Sequence, residues 1–175
     1  MSPVHRPQGE PLMIRILLPF DGSEHALDAV RHVIGMRQAG LEIEAVLLNV
    51  QDPPHLYEVV LAPDADLIDS ASHEAGEHVL APAAALLQTA DLAFETAVVT
   101  GDAAHEIAEQ ALLLGCDQIV MTTLSHGALL GRLQDAVSHE VVRRARVPVT
   151  LVPPPLREVE ADDLAALGAE DDGTS

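Results

Sequence analysis

The sequence predicts an α/β domain, a doubly wound five-stranded parallel sheet with helices on both faces. Short apolar runs alternate with amphipathic stretches in the order βαβαβαβαβ, and right-handed helical crossovers between parallel strands produce such a sheet. The composition is 48% hydrophobic but only 2% aromatic, so the core must be layered from Leu, Val, Ile and Ala, as in a sheet covered on both sides. Residues Gln118 to Val152 read as a buried strand, a glycine-bearing loop, a helix and a last strand. At such a junction free N–H groups and the positive end of a helix dipole meet, and α/β proteins hold anionic ligands there. The expected strand order is 3-2-1-4-5, which sets the ends of strands one and four side by side at a switch point.

Each element has its own signal. Residues 1–12 carry three prolines and precede an internal Met13; they are expected to form a flexible N-terminal arm, and Met13 is an alternative start of translation. Met13 to Phe20 is an apolar strand ended by Asp21-Gly22-Ser23, a turn signal and a helix start in one. Ser23 is placed to cap the first helix, in which Ala26, Leu27, Val30, Val33 and Ile34 mark a core face up to Gly40. Leu41 to Val50 is strand two. Gln51 to Pro63, with three prolines and the single tyrosine, is a long connection read as a lid or partner surface. Asp66 to Thr89 is helical, with Leu67, Ala71, Ala75, Val79, Leu80, Ala83, Leu86 and Leu87 facing the core; Pro82 is expected to kink or divide it. Phe94 to Thr100 is strand three, and Gly101-Asp102 turns the chain into a helix over Ala103 to Leu114, with Asp102 as its cap and Gly115 as its stop. Gln118 to Thr123, the Leu124 to Gly131 loop, the Leu133 to Arg144 helix and the Val149 to Val152 strand complete a domain spanning 13–153. Three prolines then stop the sheet. The tail, 154–175, is too acidic and too poor in large apolar residues for a core of its own, and disorder is expected.

Charge narrows the function classes. A net charge of −19, from 28 acidic and 9 basic residues, repels phosphate backbones and anionic membrane surfaces, so neither nucleic acid nor membrane is an expected partner. Neither a membrane span nor a secretory signal stands out, and the expected location is cytoplasmic. The lone Cys116, just ahead of a buried strand, reads as a core thiol in a reducing compartment.

The candidate ligand residues cluster at the expected switch point. Asp21 follows strand one directly. The loop after strand four offers His126, Gly127, Gly131 and Arg132 to a phosphate, with Asp135 and Ala136 at the start of the next helix. Asp21 has a second reading, as the Asx-type residue that closes the turn before Ser23 with no ligand involved. No metal site is expected. His73 and His78 are five apart, on different helix faces, and His25, His32, His105 and His139 sit singly beside acidic residues on helices. No catalytic residue is expected either, because Ser23, Ser125 and Ser138 lack a nucleophile elbow.

Ile14 to Val33 (IRILLPFDGSEHALDAVRHV), Val99 to Ile107 (VTGDAAHEI) and Asp117 to Val152, with DQIVM and then AVSHEVVRRARVPVTLV, resemble the universal stress protein family in order and spacing. The resemblance implies a Rossmann-like sheet of the adenine nucleotide α-hydrolase type, commonly dimeric, with ATP bound by many members and not by others. It also implies that Asp21, after Phe20, contacts adenine and that the backbone around Val50 lines the same pocket. The family's phosphate motif is GxxG, nine residues, then Gly followed by Ser or Thr. Counted back from Val147-Pro148-Val149, this chain has Thr122 and Ser125 at the GxxG glycines and Asp135 and Ala136 at the Gly-Ser. All four positions depart from the motif. The resulting expectation is a non-enzymatic, dimeric interaction module of the stress response, with an unidentified protein partner, no required cofactor and weak or no ATP binding. An ATP- and magnesium-dependent switch with slow hydrolysis is the alternative, and a small, less anionic ligand in the same cleft is a third. The apolar last strand, unpaired at the sheet edge in a monomer, is the expected dimer contact.

Overall fold

The computed structural model describes residues 13–53, 65–123 and 131–153, with 65–72 and 131–136 described as helical backbone. The elements are β1 (Ile14–Pro19), α1 (Ala26–Gln38), β2 (Ile43–Gln51), α2 (Ala65–Thr89), β3 (Phe94–Thr100), α3 (Ala103–Leu113), β4 (Gln118–Thr122), α4 (Gly131–Arg144) and β5 (Val149–Val152). All pairings are parallel, and the order is β3-β2-β1-β4-β5, as the sequence predicts. The arm 1–12, the tail 154–175 and most of the 51–63 connection lie outside the described residues.

Strand alternation divides the core into two layers. Ile16, Leu18, Phe20, Ala45, Leu47 and Val120 pack against Ala29, Val30 and Val33 of α1 and Leu80, Ala83 and Leu87 of α2. On the other face Leu17, Val46, Leu48, Ile119 and Met121 meet Ala104, Ile107 and Ala111 of α3 and Val141 of α4. Leu and Ile dominate the largest fully buried side chains, so aliphatic interdigitation does what aromatics do in other cores.

Two sequence expectations change in α2. The helix runs unbroken through Pro82, which lies on its exposed side; there water can take the carbonyl one turn back that lost its N–H partner. Ala75 is exposed, and Gly76 faces the sheet instead. The Leu67 and Ala71 side chains lie outside the described residues. Elsewhere only boundaries move: β2 begins at Ile43, and α4 begins two residues before the expected Leu133.

At the amino ends of the strands Arg15 ties three strands together. Its Nη1 and Nη2 donate to Glu44 Oε2 and Glu95 Oε2, both at 2.5 Å, and its Nε donates to Leu114 O at 3.0 Å. Burial alone lowers the guanidinium pKa, but the hydrogen bonds and charges of Glu44 and Glu95 win and raise it. Cys116 is 5% exposed. Burial raises its pKa against the opposing charge of Arg15, which keeps the thiol protonated and unreactive.

Candidate functional site

The opposite, carboxyl ends of the strands hold a cavity. Asp21-Gly22-Ser23 leaves β1 in a turn that Gly22 makes feasible, since its φ of +85° suits glycine and strains other residues. Asp21 Oδ1 accepts from Ser23 N at 2.9 Å, and Ser23 Oγ accepts from Ala26 N at 3.2 Å. Asp21 thus makes the Asx-type bond that closes the turn, and Ser23 takes the N–H of Ala26, the first residue of α1, although the N-cap position itself falls on His25, which makes no side-chain cap bond. Next door, Asp102 Oδ1 accepts from His105 N at 2.9 Å and caps α3, so a carboxylate already occupies that helix's positive end.

A cavity of about 150 Å³ lies between these turns, lined by Pro19, Phe20, Asp21, Ser23, His25, Leu48, Val50, Ala103, Ile107, Met121, Thr122 and Val137. Its floor and walls are apolar, and its polar groups, Asp21, Ser23, His25 and Thr122, come from the β1 and β4 ends. The volume falls short of the roughly 300–1,000 Å³ of pockets that enclose whole drug-sized ligands. It has room for only part of such a molecule.

Four sequence candidates, Phe20, Asp21, Val50 and Thr122, line this cavity. Phe20 does so while its ring packs in the α1–α2 layer. Gly131 opens α4, and the side chains of Arg132, Asp135 and Ala136 on that helix lie outside the described residues, as do Ser125, His126 and Gly127. Sequence reasoning missed Pro19, Leu48, Met121, Ala103, Ile107 and Val137 as lining residues. Strand parity marks the first three, because each lies two residues beyond a residue of the α3–α4 layer (Leu17, Val46, Ile119) at the carboxyl end of its strand. His25, expected on the first helix, stands just ahead of it at the N-cap position and lines the cavity.

Among the described residues one group could offer a cation three ligands: His105, Glu106 and Glu109 on α3, with donor atoms within 4.8 Å of one another. His105 Nε2 and Glu109 Oε2, 3.2 Å apart, form an exposed pair one helical turn apart. No described helix is long and apolar enough to cross a membrane.

The sequence profile described as the universal stress protein family matches residues 13–153. The chain belongs to the universal stress protein family. A universal stress protein of Methanocaldococcus jannaschii is 28% identical over 150 residues, covering 86% of this chain and 88% of that one. Two solved structures share the fold. A universal stress protein in complex with cAMP has a TM-score of 0.56 at 20% identity, covering 79% of this chain and 95% of its own. A family protein of Arabidopsis thaliana with AMP bound has a TM-score of 0.58 at 18% identity, covering 86% and 99%.

Proposed function

We propose that this universal stress protein is a non-enzymatic, dimeric binding module of the stress response whose cleft takes the adenine end of a weakly charged nucleotide and binds ATP poorly. The observation that carries this reading is the chemistry of the cavity at the β1–β4 switch point: apolar walls, one carboxylate at the rim, and no Lys or Arg among the described lining residues. A flat base is stabilised by such walls, whereas three phosphates require cations or open amides. The AMP and cAMP complexes of two fold neighbours support the choice of ligand.

Thermal melts with AMP, and with ATP and magnesium, at equal millimolar concentrations test this. Ligand at a hundredfold excess over its dissociation constant adds about 2.7 kcal/mol, a rise of roughly 5 to 10 °C in a domain of this size. AMP is expected to give such a rise and ATP a smaller one. An equal or larger rise with ATP would favour the nucleotide-switched reading, and no rise with either would leave a module that binds only protein partners.

The dimer is proposed through β5. Its Leu151 side chain is 38% exposed. Ile119 N donates to Pro148 O at 2.9 Å and Thr123 N to Val152 O at 3.1 Å, so by parallel-strand alternation the backbone groups of Val149 and Leu151 point away from β4. A twofold mate pairing there would cover them. Leu151→Pro removes an outward donor and spares the ladder to β4. Light scattering at micromolar concentration is expected to show a dimer for the wild type and half that mass for the variant. A monomeric wild type overturns the proposal, and a dimeric variant moves the interface elsewhere.

A further inference from the structure

We infer that Asn49, which does not touch the cavity, is a positioning residue for Asp21. The inference rests on the proposed role of the cleft and explains how the cleft's carboxylate is held. Asn49 is 3% exposed and is one of two buried polar residues among those described. Its neighbour Leu48 is the partner of Pro19 in the last register pair between β1 and β2. Just beyond that pair Phe20 N donates to Leu48 O at 2.8 Å, and Asn49 Nδ2 donates to Phe20 O, also at 2.8 Å. The side-chain amide thus continues the strand ladder for one more residue, where the main chain is already turning.

The consequence falls on the next peptide. The Phe20 carbonyl belongs to the peptide plane that enters Asp21, so fixing that oxygen fixes the direction from which the Asp21-Gly22-Ser23 turn starts. Asn49 is itself held. Gln51 Nε2 donates to Asn49 Oδ1, and the Gly76 backbone of α2 lies so close that a Cβ there would stand 3.1 Å from the same oxygen. The anchor comes from the α1–α2 side of the sheet, since Asn49 alternates in step with Ala45 and Leu47. The cavity walls of Leu48 and Val50 lie on the other side. An aspartate could not replace it, because the Phe20 carbonyl needs a donor and a carboxylate only accepts.

The test uses AMP and two readouts. Asn49→Leu removes the donor; Gln51→Leu is the milder second variant, which leaves Asn49 in place and removes its clamp. Asn49→Leu is expected to speed amide exchange at Ser23, whose N–H is bonded to Asp21 Oδ1, and to weaken AMP binding about tenfold, with a smaller change for Gln51→Leu. Combined with Asp21→Ala, Asn49→Leu is expected to cost no further affinity, because its effect passes through Asp21. Equal losses in the presence and absence of Asp21, or Ser23 exchange unchanged in both variants, would overturn the inference. If the wild type binds no AMP the functional reading fails, and Ser23 exchange still decides whether Asn49 positions the turn. Should Asn49→Leu not fold, exchange and affinity in Gln51→Leu decide it in the same way.

Discussion

Gly76→Val is expected to melt roughly 6 to 12 °C below the wild type. Gly76 is buried in α2, and an ideal Cβ at this position would stand 2.8 Å from Val98 Cγ2 and 3.1 Å from Asn49 Oδ1. Neither neighbour yields easily: Val98 is β-branched and stiff at χ1, and the Asn49 amide is bonded on both sides. Ordinary helix propensity pulls the other way, because glycine costs about 1 kcal/mol relative to alanine in a helix interior. Overpacking of a filled core costs about 1–3 kcal/mol and occasionally more, and valine adds three carbons where even one does not fit. The steric term wins, and a net loss of about 3 kcal/mol corresponds to that drop at roughly 2–4 °C per kcal/mol. Gly35→Ala is the control. Gly35 lies inside α1, and a Cβ there would meet no atom within 4 Å, so propensity acts alone and the melting temperature is expected to rise by about 2–4 °C. A Gly76→Val protein that melts with the wild type would mean that α2 does not seat on β2 and β3 at this glycine.

That glycine shows where sequence reading stops. In HEAGEHV the periodicity placed Ala75 on the core face, but the chain turns Gly76 to the sheet and leaves Ala75 exposed. Small residues carry little hydrophobic signal, so a helix that packs by close backbone approach is legible in its length and obscure in its phase. The fold was legible for the opposite reason. Aliphatic runs such as ILL in β1 and AVLL in β2 admit only burial on both sides, and the crossover rule then leaves few topologies. The cleft was half legible. Asp21 and Thr122 follow from strand ends meeting at a switch point, while Ile107 and Val137 enter the wall because α3 and α4 settle at a particular tilt, which pattern alone does not give. Asn49 was invisible in LLNV, where a polar residue amid apolar ones reads as a cost until the carbonyl it bonds is known.

Asp135→Gly combined with Ala136→Ser is expected to raise ATP affinity by about a hundredfold. By resemblance these positions correspond to the Gly-Ser with which family members close their phosphate motif, and both fall in α4, after its start at Gly131. A carboxylate roughly 5 Å from a phosphate charge, at an effective dielectric of about 20, costs on the order of 3 kcal/mol, which is about two decades of affinity. Removing it recovers that penalty. Glycine lets backbone amides approach the phosphates, and serine supplies a hydroxyl. AMP carries a single phosphate, so the same pair of substitutions is expected to change its affinity far less. The contrast separates a charge effect from a general loosening of α4, which the new glycine would destabilise by about 1 kcal/mol in any ligand's absence. Titration calorimetry of both nucleotides against both proteins checks it. An unchanged, weak ATP signal in the double variant would mean that Thr122 and Ser125, at the other departures from the motif, decide phosphate binding, and that the carboxylate at Asp135 lies out of reach of the ligand.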